Sequence, residues 1–226
     1  MSTPPPAGPA DRPRLTGEIH SDRPLIVAAV AEEAARVDSR FPVLVTGMGK
    51  VNAAAALSLT LAAGGRPREI INLGTAGALR EMPGGVHEIA YVIQHDLDRG
   101  LLQSISGYSY GHPLRVGPDA GPVLATGDTF VSDSAVRERL AREADLVDME
   151  GYAVATVAER LGIPVRLVKF VSDQADESAR TTWPEAVAHA AGVLAGWLDE
   201  HADRPAAVVP VIVDSPLRPL SGTWAS

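Results

Sequence analysis

Short apolar runs alternate with helix-prone stretches along the middle of this chain, and that alternation most narrows its choice of fold. Residues 25–30, 43–46, 69–73, 86–93, 122–126, 146–148 and 165–171 read as strands. Residues 31–37, 51–63, 134–142, 149–161 and 184–201 read as helices, and a Gly/Tyr-rich loop runs from the fourth strand to about residue 118. Strands separated by helices of this length predict an α/β protein, three layers deep, around a central mixed but largely parallel sheet. With 226 residues, 46% of them hydrophobic, the chain can bury one substantial core. Residues 1–24 and 204–226 hold ten of the 18 prolines and read as tails around a single domain at 25–203. Within the second tail, 206–209 and 211–213 are apolar enough to add a packed segment.

Composition removes several classes of function. A net charge of −8, with no basic run, argues against a partner held by its phosphate backbone, so no nucleic acid is expected. No apolar run approaches the 18 residues of a membrane span, and the first 24 residues lack the apolar centre of a secretory signal. No membrane partner is expected, and a cytoplasmic location is. The chain has no cysteine, which excludes disulfides and thiolate metal sites. His95-Asp96-Leu97-Asp98 has no second cluster at ligand spacing, so neither a metal nor another cofactor is expected.

Chemistry is concentrated after the strands. Asp148-Met149-Glu150 opens an Ala-rich helix, and Ser172-Asp173 follows the strand 165–171. In an open parallel sheet this strand–helix–strand unit brings both acidic motifs to one edge, outside the carboxyl ends of adjacent strands. Glu33, Gly47–Gly49, the small-residue turn Gly74-Thr75-Ala76-Gly77 and Phe130 each follow a predicted strand as well, so all six segments face one crevice. Convergent carboxylates there suit acid/base work on a small polar ligand. Each piece also has an ordinary reading: Phe130 as core, Glu33 as a solvated charge, Glu150 as a helix-start carboxylate favoured by the dipole. Gly47-Met48-Gly49-Lys50-Val51-Asn52 is no Walker loop, because Leu44 and Val51 stand where Gly and Ser/Thr are needed. Nor is it a dinucleotide fingerprint, since Asn52 takes the place of the third Gly.

Taken together, residues 26–198 resemble the nucleoside phosphorylase/nucleosidase superfamily, with the bacterial 5′-methylthioadenosine/S-adenosylhomocysteine nucleosidases as the nearest group. The resemblance is carried in order by Ala29-Val30-Ala31-Glu32-Glu33, Gly47–Ala54, Asn72–Gly77, His95–Asp98, Gly127–Val131, Asp148–Glu150 and Ser172–Asp176. It implies a nucleoside phosphorylase-like fold and hydrolysis of the N-glycosidic bond of a purine nucleoside, with release of adenine. By resemblance, Asp173 is the general acid for purine N7, oriented by Ser172, and burial must raise its pKa for that role. Glu33 holds the attacking water, and Glu150 accepts the ribose hydroxyls. Met149 lies under the sugar, Phe130 stacks on the base, the Val131 backbone reads its edge, and Ala76 and Gly77 line the site. The resemblance also implies a homodimer.

Phosphorylases of the superfamily carry an arginine just before the third-strand glycines, where this chain has Asn72-Leu73, and that favours water as nucleophile. Futalosine hydrolases usually lack His-Asp-x-Asp and carry Asn in place of Asp173, which favours the adenosine-type enzyme. A futalosine hydrolase-like enzyme, a phosphorylase and a non-catalytic nucleoside binder remain the alternatives. The segment after Asp98 is about four residues longer than the family spacing, so the 5′ substituent is the least determined part of the ligand.

Overall fold

The chain is built around two long strands that are largely buried on both faces. The computed structural model describes residues 12–204 and 208–213. In chain order the elements are β1 (Arg14–Thr16), β2 (Leu25–Ala28), β3 (Val43–Val45), α1 (Lys50–Ala63), β4 (Ile70–Ala78), β5 (Val86–Glu88), β6 (Tyr91–Gln94) and α2 (Arg99–Ser106). There follow β7 (Leu114–Arg115), β8 (Val123–Thr126), α3 (Ser134–Leu140), β9 (Leu146–Asp148), α4 (Gly151–Leu161), β10 (Val165–Asp173), α5 (Ala179–His201) and β11 (Val211–Ile212). Side chains alternate across the long strands, as a pleat requires. Ile70, Val165 and Leu167 pack with Leu57 of α1 and Val154 of α4, whereas Ile71, Leu73 and Val168 pack with Leu194 and Leu198 of α5. A third cluster, around Tyr91, Val123 and Val147, is covered by Leu140 of α3. The result is the expected three layers.

The sheet is mixed in a specific way. One parallel block is β3-β2-β4-β10, and a second is β9-β8-β6. The two are joined by the antiparallel pair β4–β9. β1, β5, β7 and β11 add antiparallel edges. Both segments read as tails therefore contribute a strand, β1 from the first and β11 from the second, while residues 1–11, 205–207 and 214–226 lie outside the described part. No described helix is long and apolar enough to cross a membrane.

Several expected elements change. Residues 31–37 are turns rather than helix, because the Glu33 carboxylate folds back to accept the Ala29 and Val30 amides at 3.2 and 3.4 Å. Side-chain acceptors of this kind compete with helix formation. The strand expected at 86–93 breaks in two at Ile89-Ala90, where Ile89 N bonds Leu167 O and Ala90 N bonds Pro122 O. The Gly/Tyr-rich loop contains α2, whose first turn is capped by Asp98 accepting from Leu101 N at 2.9 Å. α5 starts five residues before Pro184, its first turn closed by Thr181 and Thr182 amides on Ser178 O.

Candidate active site

The site lies in a gap along one edge of β4. The other edge is paired with β10 from Ile70 to Gly77. On the gapped edge β2 covers Ile70–Asn72 and β9 covers Gly77–Ala78. β2 runs parallel to β4 and β9 antiparallel, so their carboxyl ends approach one another and stop on either side of residues 73–76. The expectation that β9 and β10 are neighbours with ends at one sheet edge is corrected here, since β4 separates them and β9 runs the opposite way. Gly74–Gly77 is likewise not a turn: β4 continues through it, paired with β10, whose register shifts by one residue between Val171 and Asp173. In the gap the Thr75 amide finds no strand partner and donates to Glu33 Oε1 at 2.8 Å.

One cleft opens over this gap, and all nine candidate residues line it: Glu33, Ala76, Gly77, Phe130, Val131, Met149, Glu150, Ser172 and Asp173. Glu33 comes from the turn after β2, Phe130 and Val131 from the loop after β8, Met149 and Glu150 from the β9–α4 junction. Asp173 and Ser172 are the last residues of β10 itself, not of a following loop. The Ser172 hydroxyl donates to Asp173 Oδ2 at 2.7 Å, and the Ala175 amide to Oδ1 at 2.8 Å. Asp173 is half-buried rather than enclosed. A Cβ on Gly77 would stand 3.0 Å from Asp173 Oδ1 and from Ala175 Cβ, so a larger residue there would press on this carboxylate.

Glu33 and Glu150 sit deeper. Glu33 is buried and accepts four donors, the Ala29 and Val30 amides on Oε2 and the Thr75 amide and hydroxyl on Oε1. Burial pushes its pKa up, against the opposing pull of Lys169 and the Thr75 bonds. Glu150 is also buried and stands at the N-cap of α4, but its side chain makes no hydrogen bond to that helix, so it is not a solvated helix-start charge. Its Oε1 accepts instead from the amide of Gly49, a residue at φ 92° in the β3–α1 loop, at 2.7 Å. The α4 amide of Gly151 is met by Asp148 Oδ2 at 2.8 Å. Burial and the nearby Asp148 charge push the Glu150 pKa up to about 8.

That shift has a sign. A free glutamate loses its proton near 4.5, so between there and about 8 the folded chain holds a proton that the unfolded chain has released. Stability then falls as pH rises through this window. Thermal melts of the ligand-free protein are expected to show a midpoint that declines from about pH 5 to pH 8, with a flatter decline in Glu150→Gln. A midpoint independent of pH in the unsubstituted chain would contradict this account of the buried carboxylates.

Two residues at the site, Lys169 and Trp183, were not singled out from sequence. Lys169, on β10, is fully buried, and its Nζ lies 2.8 Å from Asp148 Oδ2. Burial alone lowers a lysine pKa, but the charges of Asp148, Glu150 and Glu33 reverse the direction and hold Lys169 above its ordinary value. A Cβ on Gly74 would stand 3.1 Å from Glu33 Oε1 and 3.3 Å from Lys169 Nζ, so this glycine admits both groups. Trp183, from α5, lines the cleft, with its indole edge-on to Phe130 at a 6.5 Å centroid distance and its N–H donating to Thr75 Oγ1 at 3.0 Å. His95–Asp98 has a structural part. Asp96 accepts from Lys50 Nζ at 2.5 Å and from the Asp128 amide at 2.9 Å, and Asp128 in turn accepts from the Lys50 amide at 2.8 Å. The loop that carries Gly49 is thereby tied to the loop that carries Phe130.

Comparison with known proteins bears on the sequence and the fold. The sequence model of the phosphorylase superfamily matches residues 38–123 and 119–200. The chain is 29% identical over 169 residues to the 5′-methylthioadenosine/S-adenosylhomocysteine nucleosidase of Halalkalibacterium halodurans, covering 63% of this chain and 71% of that one. It is 27% identical over 174 residues to the aminodeoxyfutalosine nucleosidase of Campylobacter jejuni, covering 67% and 75%. The crystal structure of the Helicobacter pylori 5′-methylthioadenosine/S-adenosylhomocysteine nucleosidase with butyl-thio-DADMe-Immucillin-A shares the fold. It aligns at a TM-score of 0.67 and 22% identity, over 80% of this chain and 97% of that one.

Proposed function

Because the chain belongs to the phosphorylase superfamily, whose sequence model matches residues 38–123 and 119–200, we propose that it hydrolyses the N-glycosidic bond of a purine nucleoside, 5′-methylthioadenosine or S-adenosylhomocysteine, and releases adenine. The observation that carries the choice of water over phosphate is the charge of the cleft. Its described lining holds Glu33, Asp148, Glu150 and Asp173 and no lysine or arginine, and the nearby Lys169 is already paired with Asp148. A phosphate dianion brought into this lining finds no basic side chain to pair with, whereas a neutral water needs none.

The reaction breaks the bond between C1′ and N9. Asp173 gives a proton to N7 so that the base leaves neutral, and Ser172 keeps the carboxyl turned toward it. Positive charge develops on the ribosyl centre as the bond lengthens, and the carboxylates around it stabilise that charge. Water adds at C1′ and surrenders its proton to Glu33, whose four donors fix its direction. Glu150 takes the ribose hydroxyls on the capacity that the Gly49 amide leaves free, with Met149 under the sugar. Phe130 stacks on the purine, and the Val131 backbone meets its edge. The catalytic unit we propose is one domain, 25–203, extended by β1 and β11. We also propose a homodimer, formed by the exposed Val51 and Leu59 of α1 and Leu101 and Ile105 of α2, which light scattering would register as twice the chain mass.

The test is a base-release assay without phosphate across methylthioadenosine, S-adenosylhomocysteine, 5′-deoxyadenosine, adenosine, inosine and futalosine. Adenine released from the first two is the expected outcome. Turnover only with added phosphate, yielding ribose 1-phosphate, would make the protein a phosphorylase. Preference for futalosine would move it to the second hydrolase group. Tight binding with no base released from any of the six would leave a nucleoside-binding protein.

A further inference from the structure

Trp183 is the largest side chain in the cleft to which the proposed reaction gives no part. An indole N–H can only donate, so at 3.0 Å the Thr75 hydroxyl must accept from it. That leaves the hydroxyl proton free to point elsewhere, and the acceptor within reach is Glu33 Oε1, at 3.1 Å. The Thr75 amide donates to the same oxygen at 2.8 Å. A one-way chain results, from indole to hydroxyl to carboxylate. We infer that Trp183 is a positioning residue, whose indole N–H locks the Thr75 hydroxyl as an obligatory donor to Glu33 and so keeps that carboxylate aimed and ready to accept a proton from water. This deepens the nucleosidase reading and rests on it.

The physical argument is one of alternatives. Without the indole, the threonine hydroxyl is free to rotate and to donate into the open cleft, and Glu33 loses one of its four donors. A lost donor disfavours the carboxylate form, so its proton is released at higher pH. The other charges facing Glu33 stay in place: Lys169 from β10, and Asp148 and Glu150 from the β9–α4 junction. They set the background on which the relay acts, and they are the same in all the variants compared. The edge-on packing of Trp183 against Phe130 gives the relay a second consequence, because the ring that meets the base and the carboxylate that meets the water share one neighbour.

Trp183→Phe keeps the ring and removes the N–H, and Thr75→Val removes the hydroxyl. In phosphate-free base release, each is expected to move the acid limb of kcat/KM upward by about half to one pH unit. The double variant should move it no further than Thr75→Val alone, whereas a purely packing role for the ring predicts effects that add. A second measurement needs no substrate. The chain has three tryptophans, so ¹⁵N-indole spectra are simple, and the signal absent from Trp183→Phe belongs to Trp183. That signal should titrate with Glu33 in the unsubstituted protein and stop titrating in Thr75→Val. An indole that does not titrate, with a wild-type pH profile in Trp183→Phe, overturns the relay while base release continues. A titrating indole in a protein that releases no base upholds the relay and removes the nucleosidase reading instead.

Discussion

Asp173→Asn is expected to fold, to bind nucleoside with little change, and to release base about 10²- to 10⁴-fold more slowly, the usual contribution of a positioned general acid. The amide keeps the shape of the carboxyl and one acceptor for the Ser172 hydroxyl or the Ala175 amide, which now meet Asp173 at 2.7 and 2.8 Å. It has no proton of suitable acidity to give to N7. Single-turnover base release, with binding measured separately by calorimetry, divides the effect between kcat and affinity. The loss should depend on the leaving group, because a base that departs readily without protonation needs the acid least. Near-normal turnover of an adenine nucleoside by Asp173→Asn would remove Asp173 from the role and return attention to Glu33 and Glu150.

The second large effect is on stability. Lys169→Met should destabilise the fold by about 3–5 kcal/mol, because it strands a charge in the interior. Asp148 would lose the ammonium now 2.8 Å away while keeping Glu150 and Glu33 close by. The Asp148 carboxylate also accepts from Thr126 Oγ1 at 2.6 Å and from the Gly151 amide, so the start of α4 is drawn into the loss. Urea unfolding measures it, and the double variant Asp148→Asn/Lys169→Met should recover much of the difference by removing the stranded charge. A single variant within about 1 kcal/mol of the original chain, or a double no better than the single, would show that the pair does not hold the centre together.

What was legible in the sequence follows a physical division. The alternation that marks strands and helices is local, so β2, β3, α1, β8, α3, α4 and β10 fall close to where periodicity puts them. Direction between strands is not local. Nothing in the order of apolar runs reveals that β9 enters beside β4 antiparallel, and that single joint decides where the carboxylates meet. α2 was hidden for another reason: it is eight residues long and sits in a Gly/Tyr-rich stretch, so Leu101, Leu102 and Ile105 make too short a pattern to be read as a helix. The nine lining residues could be named because each belongs to a short motif. Lys169 and Trp183 belong to none; one lies within an apolar strand and the other in the first turns of a long helix, and each becomes visible through a partner far along the chain, Asp148 or Thr75.

The interrupted edge of β4 divides the ligand's environment by ancestry within the fold. On the proposed reading, the group that meets the water comes from the β2 side of the interruption, through Glu33 and its turn, the loops after β8 and β9 supply the surfaces for base and sugar, and β10 supplies the acid, Asp173. Different parts of one small molecule are thus under separate structural control. Loops on the β8–β9 side can be lengthened or exchanged to admit another base or another 5′ group without redrawing the turn that holds the nucleophile. A chain organised in this manner can change what it cleaves while keeping how it cleaves.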